Sequence, residues 1–146
     1  MNFKVPVKEN QKLFKLLETV NADSRIGTLL KASNINAIDR LGLSDHGPTH
    51  VKIVANVALK LLRLLNEHGI HPSVVKDYSL EMEDAEVIVV LASLLHDIGL
   101  AIHREDHEEY SIMIALNILP QILEQLYDKE RAEIIREKGT DRSRFF

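Results

Sequence analysis

Residues 83–97 read "EDAEVIVVLASLLHD", and whether this run is a strand or a helix decides the fold. Valine and isoleucine lean towards a buried strand over "VIVVLASLL" at 87–95, and that reading stays open on local propensity. Three features favour a buried helix. The acidic lead-in of Glu83, Asp84 and Glu86 suits the positive end of a helix dipole. The run continues unbroken to His96, and no alternation marks one face as solvent-exposed. A helix here carries His96 and Asp97 out of an apolar segment. A carboxylate buried there without a partner is costly, and a divalent cation removes the cost.

Working outward, the chain reads as all-α. Of its 146 residues only four are proline and six glycine, and leucine, isoleucine and alanine dominate. "KENQKLFKLLETV" at 8–20 spaces Leu13, Leu16, Leu17 and Val20 as one helical stripe. "SRIGTLLKA" at 24–32 is a second helix, with Ser24 or Asp23 as its N-cap. "NINAIDRLG" at 34–42 is one or two turns closed by Gly42. A long helix then opens at Pro48, a residue suited to the first helical position, with Val51, Val54, Ala58, Leu62 and Leu65 as its stripe up to Gly69. "IHPSVVKDYSL" at 70–80 is a connection. Gly99 permits a break, and two last helices span about 103–118 and 121–137, separated by Pro120.

Composition narrows the function. A formal charge of −4 gives no support to a general nucleic-acid surface, and the absence of cysteine excludes thiolate metal or redox sites. With no apolar run near 18 residues and no signal peptide, no membrane partner is expected and the cytoplasm is the default. Five of the seven histidines fall in two short clusters. "SDHGPTH" at 44–50 puts His50 just inside the long helix, in line with Val54, Val57, Leu61 and Leu65, so its imidazole reads as inward-facing and in need of a metal, carboxylate or carbonyl. His46 lies outside that helix, near the mouth of a pocket, and Asp45 reads as closing the turn. His103 and His107, four apart, would stand about 6 Å apart on one helix face, enough to hold a metal or to face a phosphate. Taken singly, His50 reads as well as a satisfied helix-start histidine, and His103 and His107 as solvated neighbours of acids. His68 and His71 read as structural or exposed.

"DHGPTH" followed by a long helix and then "LASLLHDIGLAIHREDH" resembles the HD superfamily of metal-dependent phosphohydrolases, most of all its prokaryotic, largely archaeal, branch with a lead-in like "DRLGLSDHG". The likeness covers roughly residues 30–120. It implies a compact all-α bundle with the metal site between helices, His50, His96 and Asp97 as ligands, and His103 and His107 as the further histidines of dinuclear members. Its closing aspartate would fall on Asp141 in "GTDRSRFF", with Asp128 a weaker candidate. The domain would span 1–137, and 138–146 read as an atypical tail, truncated or the remnant of a longer domain.

The resemblance further implies hydrolysis of a phosphate ester, of a nucleotide or related small molecule, with one or two divalent ions. Nitrogen and oxygen ligands do not choose among Mn, Mg, Fe and Ni. Asp97, His103 and His107 would carry the chemistry, and His46, Arg104 and Arg40 would face the substrate. The alternative is a catalytically impaired module that binds metal and serves regulation or dimerisation. Leu119, Ile122, Leu123, Leu126 and Ile134 read as an apolar surface on which a homodimer could form.

Overall fold

A computed structural model describes residues 1–140. Those residues form a compact bundle of seven α-helices: α1 (Gln11–Ala22), α2 (Ser24–Ile35), α3 (Pro48–Glu67), α4 (Ser73–Asp77), α5 (Met82–Leu95), α6 (His107–Leu123) and α7 (Lys129–Thr140). A π-helical turn (Asn36–Arg40) extends α2, and a 3-10 turn (Ile98–Ala101) follows α5.

The decisive run is a helix. Its start is fixed by a reciprocal cap: the Glu81 side chain accepts from the third backbone N–H, and Asp84 accepts from the Glu81 N–H at 2.9 Å. Lys12 of α1 neutralises both acids, at 2.6 Å from Glu81 and 2.8 Å from Asp84. From Asp84 to Leu95 only Ala92 among the side chains is not buried, so α5 has no solvent face to show a period. It packs against α1, α3, α4 and α7 and forms the axis of the core. Arg63 of α3 and Asn10, the N-cap of α1, both bond Glu86 at its flank, with Arg63 Nε at 2.6 Å and Asn10 Nδ2 at 2.9 Å. The buried carboxylate is thereby satisfied from two other elements.

Several boundaries differ from the sequence reading. The helix expected from 103 begins at His107, because Asp106 takes a left-handed φ of 55° and interrupts the turn before it. Pro120 does not end that helix, which runs on to Leu123. Near the C-terminal end the missing N–H costs one hydrogen bond, and Glu124 N–H still bonds the Pro120 carbonyl at 3.0 Å. The last helix accordingly starts at Lys129, with Asp128 Oδ1 accepting from Arg131 N–H at 2.9 Å, so Asp128 caps α7. The 70–80 connection contains α4. Asp23 rather than Ser24 caps α2.

The stripe of α3 is also shifted. Val51, Ala55, Leu59 and Leu62 face the core, whereas Val57 and Leu61, read as inward with His50, are 62% and 53% exposed. This helix is apolar on two faces, so spacing alone could not choose between them. The surface proposed for dimerisation is corrected too: Leu119, Ile122 and Leu123 are buried in the monomer's own core, with Leu126 and Ile134 packed against it. Among the described residues, no helix is long and apolar enough to cross a membrane.

Candidate metal centre

α5 ends at Leu95, and the chain turns at His96 and Asp97 into the 3-10 turn. That turn is pressed onto the first turn of α6. A Cβ added to Gly99 would stand 1.9 Å from the His107 carbonyl oxygen and 2.6 Å from the Ser111 nitrogen, so only glycine fits. Gly99 N–H also donates to Ser111 Oγ at 2.8 Å. This close approach brings His107, the first residue of α6, up to Asp97.

α2 and the π turn brace the other side. Ser33 Oγ bonds the Ile98 carbonyl at 3.2 Å, and Asn36 Nδ2 bonds those of Leu100 and Ala101 at 2.8 and 3.1 Å. Between them in sequence, Asn34 Oδ1 accepts from His46 N–H at 3.0 Å, and a Cβ on Gly47 would lie 2.8 Å from its Cγ. Asp45 closes the turn by accepting from Gly47 N–H at 2.7 Å, and Pro48 then starts α3. One short polar run, "SNIN" at 33–36, therefore fixes both histidine-bearing segments.

The outcome is a ring of imidazoles around one buried carboxylate. Asp97 Oδ2 lies 2.9 Å from His96 Nε2, 3.4 Å from His50 Nε2 and 4.0 Å from His46 Nε2, while Oδ1 lies 3.6 Å from His107 Nε2. The rings of His46 and His50 are 5.0 Å apart, and those of His50 and His96 5.4 Å. His50, His96 and Asp97 offer three ligand atoms all within 4.8 Å of one another.

Three of the rings are oriented from behind. Nδ1 of His46 faces the Ser44 carbonyl at 2.6 Å, that of His96 the Ser93 carbonyl at 2.9 Å, and that of His107 the Arg104 carbonyl at 2.8 Å. A carbonyl only accepts, so each Nδ1 carries the proton and each Nε2 presents a lone pair when the ring is neutral. Lone pairs aimed at a carboxylate repel unless a proton or a metal cation lies between them. The donor set therefore fits a divalent ion, with the backing carbonyls as the usual support of metal-bound histidine. Without an ion, burial favours the neutral forms of His96 and Asp97. Their mutual hydrogen bond and attraction outweigh it, raising the His96 pKa above its ordinary value and lowering that of Asp97.

Not every candidate joins the ring. His103 is exposed ahead of α6, its Nδ1 accepting from Glu105 N–H at 3.2 Å, so the expected shared helix face with His107 does not form. His46 is nearer than a rim position suggested. Arg40 and Arg104 are exposed, and Arg104 contributes its backbone carbonyl to His107. Asp141 lies outside the described residues.

A cleft of about 320 Å³ opens beside the ring between α5, α6 and α7, with His96 and Asp97 in its wall and Thr140 at the end of α7 also lining it. Glu108 and Ser111, which the sequence reading passed over, line the same cleft. Helical spacing from His107 places Ser111 one turn on, and this was the available signal.

An uncharacterized protein of Methanocaldococcus jannaschii is 48% identical to this chain over 110 residues, which cover 75% of the chain and 42% of that protein. The chain thus matches less than half the length of this relative. No protein-family model matches the chain, and no solved structure matches it.

Proposed function

We propose that this chain is a divalent-metal-dependent phosphohydrolase of the HD superfamily that its motifs resemble. The observation that supports it best is the convergence of four Nε2 atoms on the buried Asp97, at 2.9 to 4.0 Å, in an all-helical bundle. A divalent ion supplies, when bound, Lewis acidity towards water and a phosphoryl oxygen.

His50, His96 and Asp97 are the proposed ligands of that ion. The Ser93 carbonyl orients His96, and the Arg104 carbonyl orients His107 on the far oxygen of Asp97. His107 is assigned to a second ion or to steadying the transferring phosphoryl group. His103, exposed ahead of α6, is assigned to the phosphoryl group, with His46, Arg104 and Arg40 on the substrate side, where a guanidinium suits phosphate. Asp141 is the proposed closing ligand. It directly follows Thr140, which lines the cleft that His96 and Asp97 also line. The resemblance points to nucleotides as substrates.

The test is hydrolysis of p-nitrophenyl phosphate and a nucleotide panel with Mn²⁺ added. Turnover that disappears in His96→Ala and Asp97→Ala supports the reading. A second reading, a metal-binding module without turnover, is favoured by one observation: the three-residue ligand cluster among the described residues contains a single carboxylate. Stoichiometric metal with no turnover on any phosphoester would select it. Asp141→Asn then separates the two further, since a closing ligand's loss lowers metal affinity and an idle tail residue's loss does not.

A further inference from the structure

α3 is apolar on the side turned away from the core as well as on the side packed into it. Ile53 is 59% exposed, and Val57, Leu61 and Leu64 stand in solvent in line with it. Their spacings of four, four and three residues average close to one helical turn, so the stripe runs straight along the helix. Lys60 and Glu67 stand on one shoulder of it. The other shoulder, with the half-buried Val54 and Leu65 beside Leu61, carries no lysine, arginine or carboxylate. Four half-exposed aliphatic side chains leave on the order of 400 Å² of apolar surface, the size of a monomer's largest patch and one that often marks an interaction site. The described chain ends at Thr140 in the cleft between α5, α6 and α7, and no residue of α3 lines that cleft.

We propose that this outer face of α3 is the seam of an antiparallel homodimer, in which Val57 meets Leu61 of the second copy. The stripe is complementary to itself. Laid antiparallel about Leu59, it sets Val57 against Leu61 and Ile53 against the Leu64–Leu65 pair, in both directions. Such a two-fold contact closes on itself and does not propagate. A straight stripe suits a shallow crossing of about 20°. His50 and His68 stand nine residues to either side of Leu59, so each copy's His68 comes level with the other's His50 and the seam ends beside the metal centre. An acidic partner or an anionic lipid surface would call for a cluster of cations along the crest, where Lys60 stands without another. Two such faces bury roughly 800 Å² of apolar surface, and their polar shoulders bring the total towards the ~1,200 Å² low end of specific interfaces, so the dimer is a dissociable one. The proposal holds whatever reaction the metal centre performs.

The experiment is sedimentation velocity of the full chain, joined to disulfide cross-linking that reads the register. Monomer should give way to dimer between about 1 and 500 µM, as a small interface requires. The chain has no cysteine, so one introduced thiol reports alone. Lys60→Cys, whose two copies meet about 3 Å apart along the seam, should link under mild oxidation. Ile53→Cys, whose copies stand about 18 Å apart, should not. Val57→Glu, at an exposed position and with its circular dichroism unchanged, should raise the dimer's dissociation constant about tenfold or more, since it places two charges in an apolar seam. A chain that stays monomeric at every concentration, whether or not it binds anionic vesicles, would overturn the proposal. So would a dimer that Val57→Glu leaves intact, or Ile53→Cys linking as readily as Lys60→Cys, the mark of a parallel pair.

Discussion

His96 and His46 both approach the same oxygen of Asp97, at 2.9 and 4.0 Å, from differently built ground. His96 closes α5, a helix buried around nearly its whole circumference, and the turn after it is clamped on α6 by Gly99. His46 sits in the loop before α3, held by the side chain of Asn34 and the carbonyl of Ser44. On the first side the site is a by-product of the core, and what damages one damages the other. On the second side polar bonds place the histidine, and the site can be disturbed while the fold survives.

The largest effect that contrast predicts is at Gly99. Its missing Cβ would fall 1.9 Å from a backbone oxygen, which cannot swing away. Gly99→Ala should lower unfolding free energy by about 1–3 kcal/mol in urea titration and also cancel any rise in melting temperature with Mn²⁺. A variant of full stability would show that the clamp is loose. Next, Asp97→Asn should abolish the metal-dependent rise while keeping the helical signal in circular dichroism. A retained rise would move the ion elsewhere. Asn34→Ala on the loop side should cost about 1 kcal/mol for one lost hydrogen bond and weaken metal binding without unfolding. His103→Ala should be the smallest, within about 0.5 kcal/mol for an exposed position, and should leave the first ion's binding unchanged.

Acidity gives a further way to sharpen the contrast. In the metal-free protein, the Asp97 pKa lies below its ordinary 3.8, so its contribution is full above that value and fades as pH falls through the lowered one. The His96 pKa lies above its ordinary 6.5, so its contribution is full below that value and fades as pH rises through the raised one. The pair should therefore stabilise most between those two ordinary values, and Asp97→Asn should flatten the profile. With Mn²⁺ present the trend reverses at the upper end, because protons compete with the ion for Nε2 and metal stabilisation grows as they leave.

Much of this was legible in the sequence, for physical reasons that differ by element. α5 was legible because its acidic start becomes a cap and its unbroken apolar run becomes burial on all sides. Asp97 could be singled out because a carboxylate buried at the end of an apolar run needs a partner, and His50 and His96 do lie together with it. The core face of α3 was not legible, since Ile53, Val57, Leu61 and Leu64 leave a second apolar stripe in solvent. The start of α6 was hidden too. A positive φ at Asp106 is a tertiary choice that four-residue spacing cannot foresee, and it separates His103 from His107. The bracing by Ser33, Asn34 and Asn36 was written in the sequence as an unexplained polar run at a helix end, and only their partners at 98–101 and 46 give it meaning.

The most direct measurement of the central claim is metal content by elemental analysis of the chain purified without chelator, beside a His96→Ala, Asp97→Asn double variant that keeps its fold. The account predicts about one or two divalent ions per chain in the parent and a loss of at least one in the variant. A parent free of metal, with a melting temperature that Mn²⁺, Mg²⁺, Fe²⁺ and Ni²⁺ all leave unmoved, would contradict it.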